Sequence, residues 1–154
     1  THNLNIRYIG SWNETQWNNQ WLISFRSNLN KAGLTNTRIV AADCGWDFTP
    51  SMMSNPLLQN AVDVVSAHYV SWQHNFDSTA LAKSCGKSLW AGEDGYNGSD
   101  WNAAKGLAKL FNRNYVIGKC NASVIWTLLS AYHDILPYPR CGQILANEPW
   151  SGYY

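Results

Sequence analysis

Hydrophobic positions along this chain switch repeatedly between a period of two and a period near 3.6. Ile6-Arg7-Tyr8-Ile9-Gly10 is a short β-favouring run, and Trp17, Trp21, Leu22, Phe25, Leu29 and Ala32 follow it at intervals of four, one, three, four and three. Those intervals lay one apolar stripe along a helix. Gly33 stands where a left-handed cap would close that helix, and Thr37-Arg38-Ile39-Val40-Ala41-Ala42 then reads as a buried strand. The unit repeats: Ser51 to Ala61 predicts a weaker helix broken near Pro56, Asp63 to Ala67 a strand, Ser78 to Cys85 a short helix closed by Gly86, and Lys87 to Ala91 a strand. Trp101 to Tyr115 carries Ala104, Leu107, Ala108 and Phe111 on one helical face, and Ala122 to Thr127 is the last strand of the series.

Five strands alternating with four helices imply parallel pairing through right-handed crossovers, which is the α/β class. No G-x-G-x-x-G or G-x-x-x-x-G-K-[ST] follows a strand, which argues against the doubly wound nucleotide folds. A complete (β/α)8 barrel usually takes about 250 residues, and this chain has 154. The pattern therefore predicts part of a barrel. Residues 1–135 are assigned to it, and 136–154, with proline turns at Leu136-Pro137-Tyr138-Pro139 and Glu148-Pro149-Trp150, to an exit loop or the start of another module.

Composition narrows the function. Eleven Lys plus Arg against ten Asp plus Glu, scattered without a block, give a net charge of +1 and argue against a nucleic-acid partner. Charged residues are 14% of the chain and aromatics also 14%, so rings, amides and hydroxyls must cover much of the surface. No run reaches the roughly 18 to 20 apolar residues of a spanning helix, and Thr1 opens no signal-like segment, so a soluble chain past any targeting segment is expected. Cys44, Cys85, Cys120 and Cys141 lie far apart without zinc-site spacing; they permit disulfides in three pairings that spacing does not resolve. Asn13, Asn97 and Asn121 head N-x-S/T sequons, which suits a secretory protein of a eukaryotic source.

In a barrel, chemistry sits just past the carboxyl ends of the strands. Those positions hold Trp12-Asn13-Glu14, Asp43, His68-Tyr69, Glu93-Asp94 and Trp126. Curling the sheet would bring Glu14 and Glu93 toward one cleft, and glycoside hydrolysis needs such a pair of carboxyl groups, about 5 to 5.5 Å apart when configuration is retained. The acid must hold its proton near neutral pH, which burial and a neighbouring anion favour. Glu14 is assigned that role and Glu93 the nucleophile's. Asn13 offers an amide to a sugar hydroxyl, while Trp12, Tyr69, Trp90 and Trp126 offer faces on which the apolar side of a sugar packs.

The strings Ile9-Gly10-Ser11-Trp12-Asn13-Glu14, Ala67-His68-Tyr69, Leu89-Trp90-Ala91-Gly92-Glu93-Asp94, Leu136 to Gly142 and Glu148-Pro149-Trp150-Ser151-Gly152 resemble, in order and spacing, the galactocerebrosidase (galactosylceramidase) family. The resemblance implies a retaining β-galactosidase acting on galactosylceramide-like glycolipids, built on a (β/α)8 barrel followed by β-rich domains and using neither cofactor nor metal. It implies Glu14 as acid/base, Glu93 as nucleophile, and Asn13 and Trp126 as galactose contacts. It also aligns this chain with about strands four to eight, so the missing half of the barrel would come from the same gene product or a second chain, and a glycolipid substrate would bring in a lipid-presenting activator protein as a partner.

Tyr69 is read as a phenol able to hydrogen-bond the Glu93 carboxylate, or else as a rim aromatic. His68 is read as a structural histidine, and Asp43 and Asp94 first as ordinary helix N-caps and otherwise as groups that hydrogen-bond the sugar or steer neighbouring side chains. Cys141 is the cysteine most expected in a disulfide. Two rival functions stand beside the leading one: a glycosidase of the same barrel type acting on a galactan or glucoside, and a noncatalytic carbohydrate-binding protein.

Overall fold

The computed structural model describes residues 4–70, 80–131 and 142–146. Its elements run β1 (Tyr8–Gly10), α1 (Asn19–Lys31), β2 (Arg38–Cys44), α2 (Phe48–Met53), α3 (Pro56–Ala61), β3 (Val64–His68), α4 (Ala80–Ser84), β4 (Ser88–Asp94), α5 (Trp101–Val116), β5 (Ala122–Ile125), β6 (Leu129–Ala131) and β7 (Ile144–Ala146). Strands β1 to β5 form one parallel sheet in sequence order. The sheet is curled. Tyr8 on β1 and Trp90 on β4 stand three strand spacings apart, about 14 Å in a flat sheet, yet their ring centroids are 4.7 Å apart. The molecule is a partial (β/α)8 barrel, as its strand and helix periodicity predicts.

Local signals place the elements. Asn18 caps α1 by accepting from the Trp21 N–H at 2.9 Å, and Gly33 leaves that helix at φ 78°, where a side chain would be strained. Pro56 does more than weaken a helix. It opens α3 at its first turn, with Asn55 accepting from Leu57 and Leu58, so the single helix expected over 51–61 is two short ones.

The core lies between the convex face of the sheet and the helices. Leu22, Phe48, Met52, Leu58 and Val62 pack there on Ile39, Ala41, Val65, Ala67, Leu89 and Ala91. Each large side chain so buried contributes about 1.5–3 kcal/mol. On α5 the helical period is read correctly and its phase is not. Ala103, Leu110 and Asn114 are the buried positions, whereas Ala104, Ala108 and Phe111 are exposed. The helix has two apolar stripes, and what turns it is polar: the Asp94 carboxylate, fully buried at the end of β4, accepts from Asn114 Nδ2 at 2.9 Å and from the Gly95 N–H at 3.0 Å.

Asp94 is therefore no helix cap; Asp100 caps α5 through the Ala103 N–H. Removing the donor with Asn114→Ala is expected to lower stability by about 1.5–3 kcal/mol, the worth of a hydrogen bond to a buried charge. Thermal unfolding of the full-length protein checks this, and a loss no larger than that of an exposed Asn→Ala change would contradict it.

Cys44, Cys85 and Cys120 are free thiols, while Cys141 lies outside the described residues. Burial pushes the Cys120 thiol up to about 12, with the Asp94 charge adding to it, so this group is inert near neutral pH. Beyond β5, β6 and β7 pair in parallel. The Leu136 to Gly142 string, apart from Gly142, and the Glu148 to Gly152 string fall outside the described residues. Among the described residues no helix is long and apolar enough to cross a membrane.

Candidate active site

The carboxyl ends of β1 to β5 meet at one rim, and their backbones continue to pair beyond the regular ladder. The Glu14 N–H donates to the Asp43 carbonyl at 2.9 Å, Tyr69 N–H to Glu93 O at 2.6 Å, and Trp126 N–H to Asp94 O at 2.9 Å. Glu14, Asp43 and Tyr69 all adopt left-handed backbone, at φ 52°, 52° and 47°. Such a conformation costs a non-glycine residue about 1–3 kcal/mol and persists where surrounding structure enforces it, commonly at functional sites.

Glu14 and Glu93, proposed as a pair from their strand-end positions, stand together. A carboxylate oxygen of each and Nδ1 or Nε2 of His68 all lie within 4.8 Å of one another. Tyr69 Oη donates to Glu93 Oε1 at 2.5 Å. Burial first, then this bond and the Glu93 charge, raise the Tyr69 pKa above the ordinary 10, so the phenol stays a neutral donor. Asn13 is exposed beside Glu14, and Trp126 is 39% exposed at the end of β5.

The residues underweighted in the sequence are His68 and Asp43. His68 is buried, and its Nδ1 lies 3.1 Å from Glu14 Oε1 and 3.8 Å from Glu93 Oε2, while Nε2 lies 3.7 Å from Asp43 Oδ1. Burial, the largest single influence, opposes its charged form. Contacts with Asp43 and Glu14, together with the charges of Glu93 and Asp43, outweigh it and raise the His68 pKa above 6.5. Asp43 is not a helix cap either: it accepts from Ser66 Oγ at 2.5 Å on the inner face of the sheet. Space for it exists because two neighbours lack side chains. A Cβ on Gly92 would run into Ser66 Oγ and Asp43 Oδ1, and one on Gly10 would come within 3.0 Å of Asp43 Oδ2. The pair of strand glycines was the available signal, since glycine inside a strand marks close approach.

Three donors within 4.8 Å also meet the spacing of a metal site. A ligating imidazole must offer an unprotonated nitrogen, whereas the raised pKa and the carboxylates on both sides of His68 favour protons on both its nitrogens. The cluster fits proton traffic better than ligation.

A raised folded-state pKa means that the stability His68 contributes through its charge is complete below its unfolded value near 6.5 and is lost as pH rises through the higher folded value. The difference in thermal midpoint between wild type and His68→Phe is thus expected to shrink as pH rises from 6.5 through the neutral and mildly alkaline range. A difference constant across that range would assign the whole effect to packing.

Residues 1–154 match the family described as glycosyl hydrolase family 59. The chain is 38% identical over 154 residues to galactocerebrosidase of Homo sapiens, covering 99% of this chain and 22% of that protein. Against galactocerebrosidase of Danio rerio it is 37% identical over 153 residues, covering 99% and 23%. The chain thus spans less than a quarter of the length of these relatives. Among solved structures it resembles SrfJ from Salmonella typhimurium, with a TM-score of 0.76 at 16% identity over 94% of this chain and 38% of that one. It also resembles a GH30 endoxylanase from Clostridium papyrosolvens C71, with a TM-score of 0.61 at 22% identity over 82% and 36%. At those identities the likeness speaks for the fold alone. With a family match along the whole length, the chain belongs to glycosyl hydrolase family 59.

Proposed function

We propose that this chain supplies the catalytic carboxyl pair of a retaining β-galactosidase acting on galactosylceramide-like glycolipids. The observation that carries the reading is the separation of Glu14 and Glu93. An oxygen of each lies within 4.8 Å of the other, a spacing that supports the retaining arrangement of about 5–5.5 Å over that of an inverting pair, about 6.5–9.5 Å.

In the first step Glu93 attacks the anomeric carbon and forms a glycosyl ester, while the bond to the aglycone oxygen breaks and Glu14 delivers a proton to that oxygen. In the second, Glu14 takes a proton from water as its oxygen attacks the same carbon and releases the Glu93 carboxylate. Tyr69 holds the Glu93 carboxylate by its hydrogen bond, and Asn13 and Trp126 serve the sugar as amide and wall.

Galactose and the lipid aglycone come into the reading from the galactocerebrosidase relatives. The remaining barrel strands belong, in this reading, to further sequence of the same gene product or to a second chain, with 1–135 as barrel and 136–154 as the exit toward a β-rich module. Asn97 and Asn121, both exposed sequon residues, accord with a lysosomal or extracellular location.

The test is intact mass of the full-length protein after incubation with 2-fluoro-galactosyl fluoride, followed by peptide mapping. One fluorogalactosyl group on the peptide containing Glu93 is the expected result. Labelling by the glucosyl analogue alone would remove galactose and keep the mechanism, and labelling by neither would overturn the reading in favour of a carbohydrate-binding protein.

A further inference from the structure

Acid and nucleophile account for Glu14 and Glu93, and neither role by itself requires Asp43 or His68. Yet these two are held more firmly than Glu14 is. The Glu14 side chain is 47% exposed, against 5% for His68 and 15% for Asp43. Among the described residues, His68 is the hydrogen-bond partner of the Glu14 carboxyl. Asp43 grips the same residue by two routes, through its carbonyl to the Glu14 N–H and through its carboxylate to the far nitrogen of His68. That carboxylate is fixed in turn by Ser66 and by the side-chain-free space at Gly10 and Gly92.

The geometry points to Asp43 and His68 as a positioning pair that helps turn Glu14 from acid into base once Glu93 is esterified. This rests on the roles given above to Glu14 and Glu93. The His68 Nδ1–H lies within reach of both glutamates, 3.1 Å from Glu14 and 3.8 Å from Glu93. In the roles proposed above, Glu93 starts the cycle as the anion and competes for that N–H, while Glu14 carries the proton it is to deliver. Attack on the sugar turns Glu93 into a neutral ester, and protonation of the leaving oxygen turns Glu14 into the anion. The N–H then has one carboxylate to serve, and it holds Glu14 ionised and aimed for its work on water. Asp43 keeps the ring turned so that Nδ1, and not Nε2, faces the cleft.

An activated substrate isolates this step. With 2,4-dinitrophenyl β-galactoside the aglycone leaves without a proton, so turnover waits on hydrolysis of the glycosyl-enzyme. Asp43→Asn in the full-length protein is expected to lower kcat by about 10- to 100-fold, a part of what acid-base catalysis supplies. KM should fall in parallel because the intermediate accumulates, and the rate of the initial dinitrophenol burst should stay near that of wild type. Ser66→Ala, which loosens Asp43 and leaves its charge, is expected to show the same signature more weakly.

A purely structural role would slow the burst and leave KM unchanged or higher, and that outcome would overturn the pairing. So would wild-type kcat in Asp43→Asn. The underlying roles are tested separately: a wild-type protein that shows a burst and labels at Glu93 upholds the nucleophile whatever Asp43→Asn does, a leaving-group-dependent loss in Glu14→Gln upholds the acid, and a wild-type protein that shows neither burst nor label removes those roles and the pairing together.

Discussion

Replacing Glu93 by Gln in the full-length protein is expected to reduce hydrolysis of β-galactosides by on the order of 100,000-fold, equivalent to ~7 kcal/mol of barrel-site chemistry. The amide is nearly isosteric and can still accept from Tyr69, so the loss tests the nucleophile and not the scaffold. What disappears is the oxygen lone pair able to form the glycosyl ester, and no described neighbour stands ready to replace it: Tyr69 is a phenol held neutral, and His68 faces two carboxylates. Rescue gives a second, stereochemical reading. In Glu93→Gly, azide can enter the space left by the carboxylate and attack in one displacement, giving the α-galactosyl azide. A β product, or a Gln variant retaining more than about a hundredth of wild-type rate, would place the nucleophile elsewhere.

The second large effect depends on the leaving group. Glu14→Gln should slow the release of a poorly departing aglycone such as a lipid alcohol by about 100- to 10,000-fold, the range that general acid catalysis supplies. For dinitrophenyl galactoside the first step should be nearly spared, because that aglycone departs as a stable anion. The ratio between the two substrates is the measurement. Equal losses would mean that Glu14 binds or shapes the sugar site without delivering a proton. Azide added to Glu14→Ala should restore turnover of the activated substrate with a β-galactosyl azide as product, since the small anion attacks the existing ester where water needs a base.

Much of this fold was legible because its strands and helices carry their own punctuation. Gly33 and Gly86 mark helix exits at φ 78° and 74°, and the apolar run Ile39 to Ala42 stands within the sheet as periodicity demands. Glu14 and Glu93 were legible as a pair only through the step from strand order to a curled sheet, since 79 positions separate them in the chain.

Three things were not legible, each for a physical reason. The facing of α5 depends on Asn114 meeting a buried carboxylate, a polar contact that hydrophobic counting does not weigh. Pro56 restarts a helix that periodicity alone treats as continuous. His68 followed an apolar strand and had no identifiable partner until the sheet curled, because the groups that give it a role come from β2, from beyond β1 and from β4.

The irregular register at the rim has a consequence for how sequence maps onto face. Ala67 pairs with Ala91 and His68 with Glu93, leaving Gly92 as an extra residue on β4. Likewise Ala42 pairs with Ser66 and Cys44 with Ala67, leaving Asp43 extra on β2. Each extra residue shifts the two-residue beat of its strand by one. On β4, Trp90 faces inward against Tyr8 and Ala91 outward into the core. Past Gly92 the parity reverses, with Glu93 inward against Tyr69 and Asp94 outward against Asn114. The active site thus sits on the far side of a phase boundary, and even and odd positions exchange their meaning there. Tolerance to polar substitution along β4 should invert between Ala91 and Glu93, and deleting Gly92 would restore plain alternation, leaving Glu93 on the inner face next to Ala91 but removing the side-chain-free space that Asp43 and Ser66 occupy.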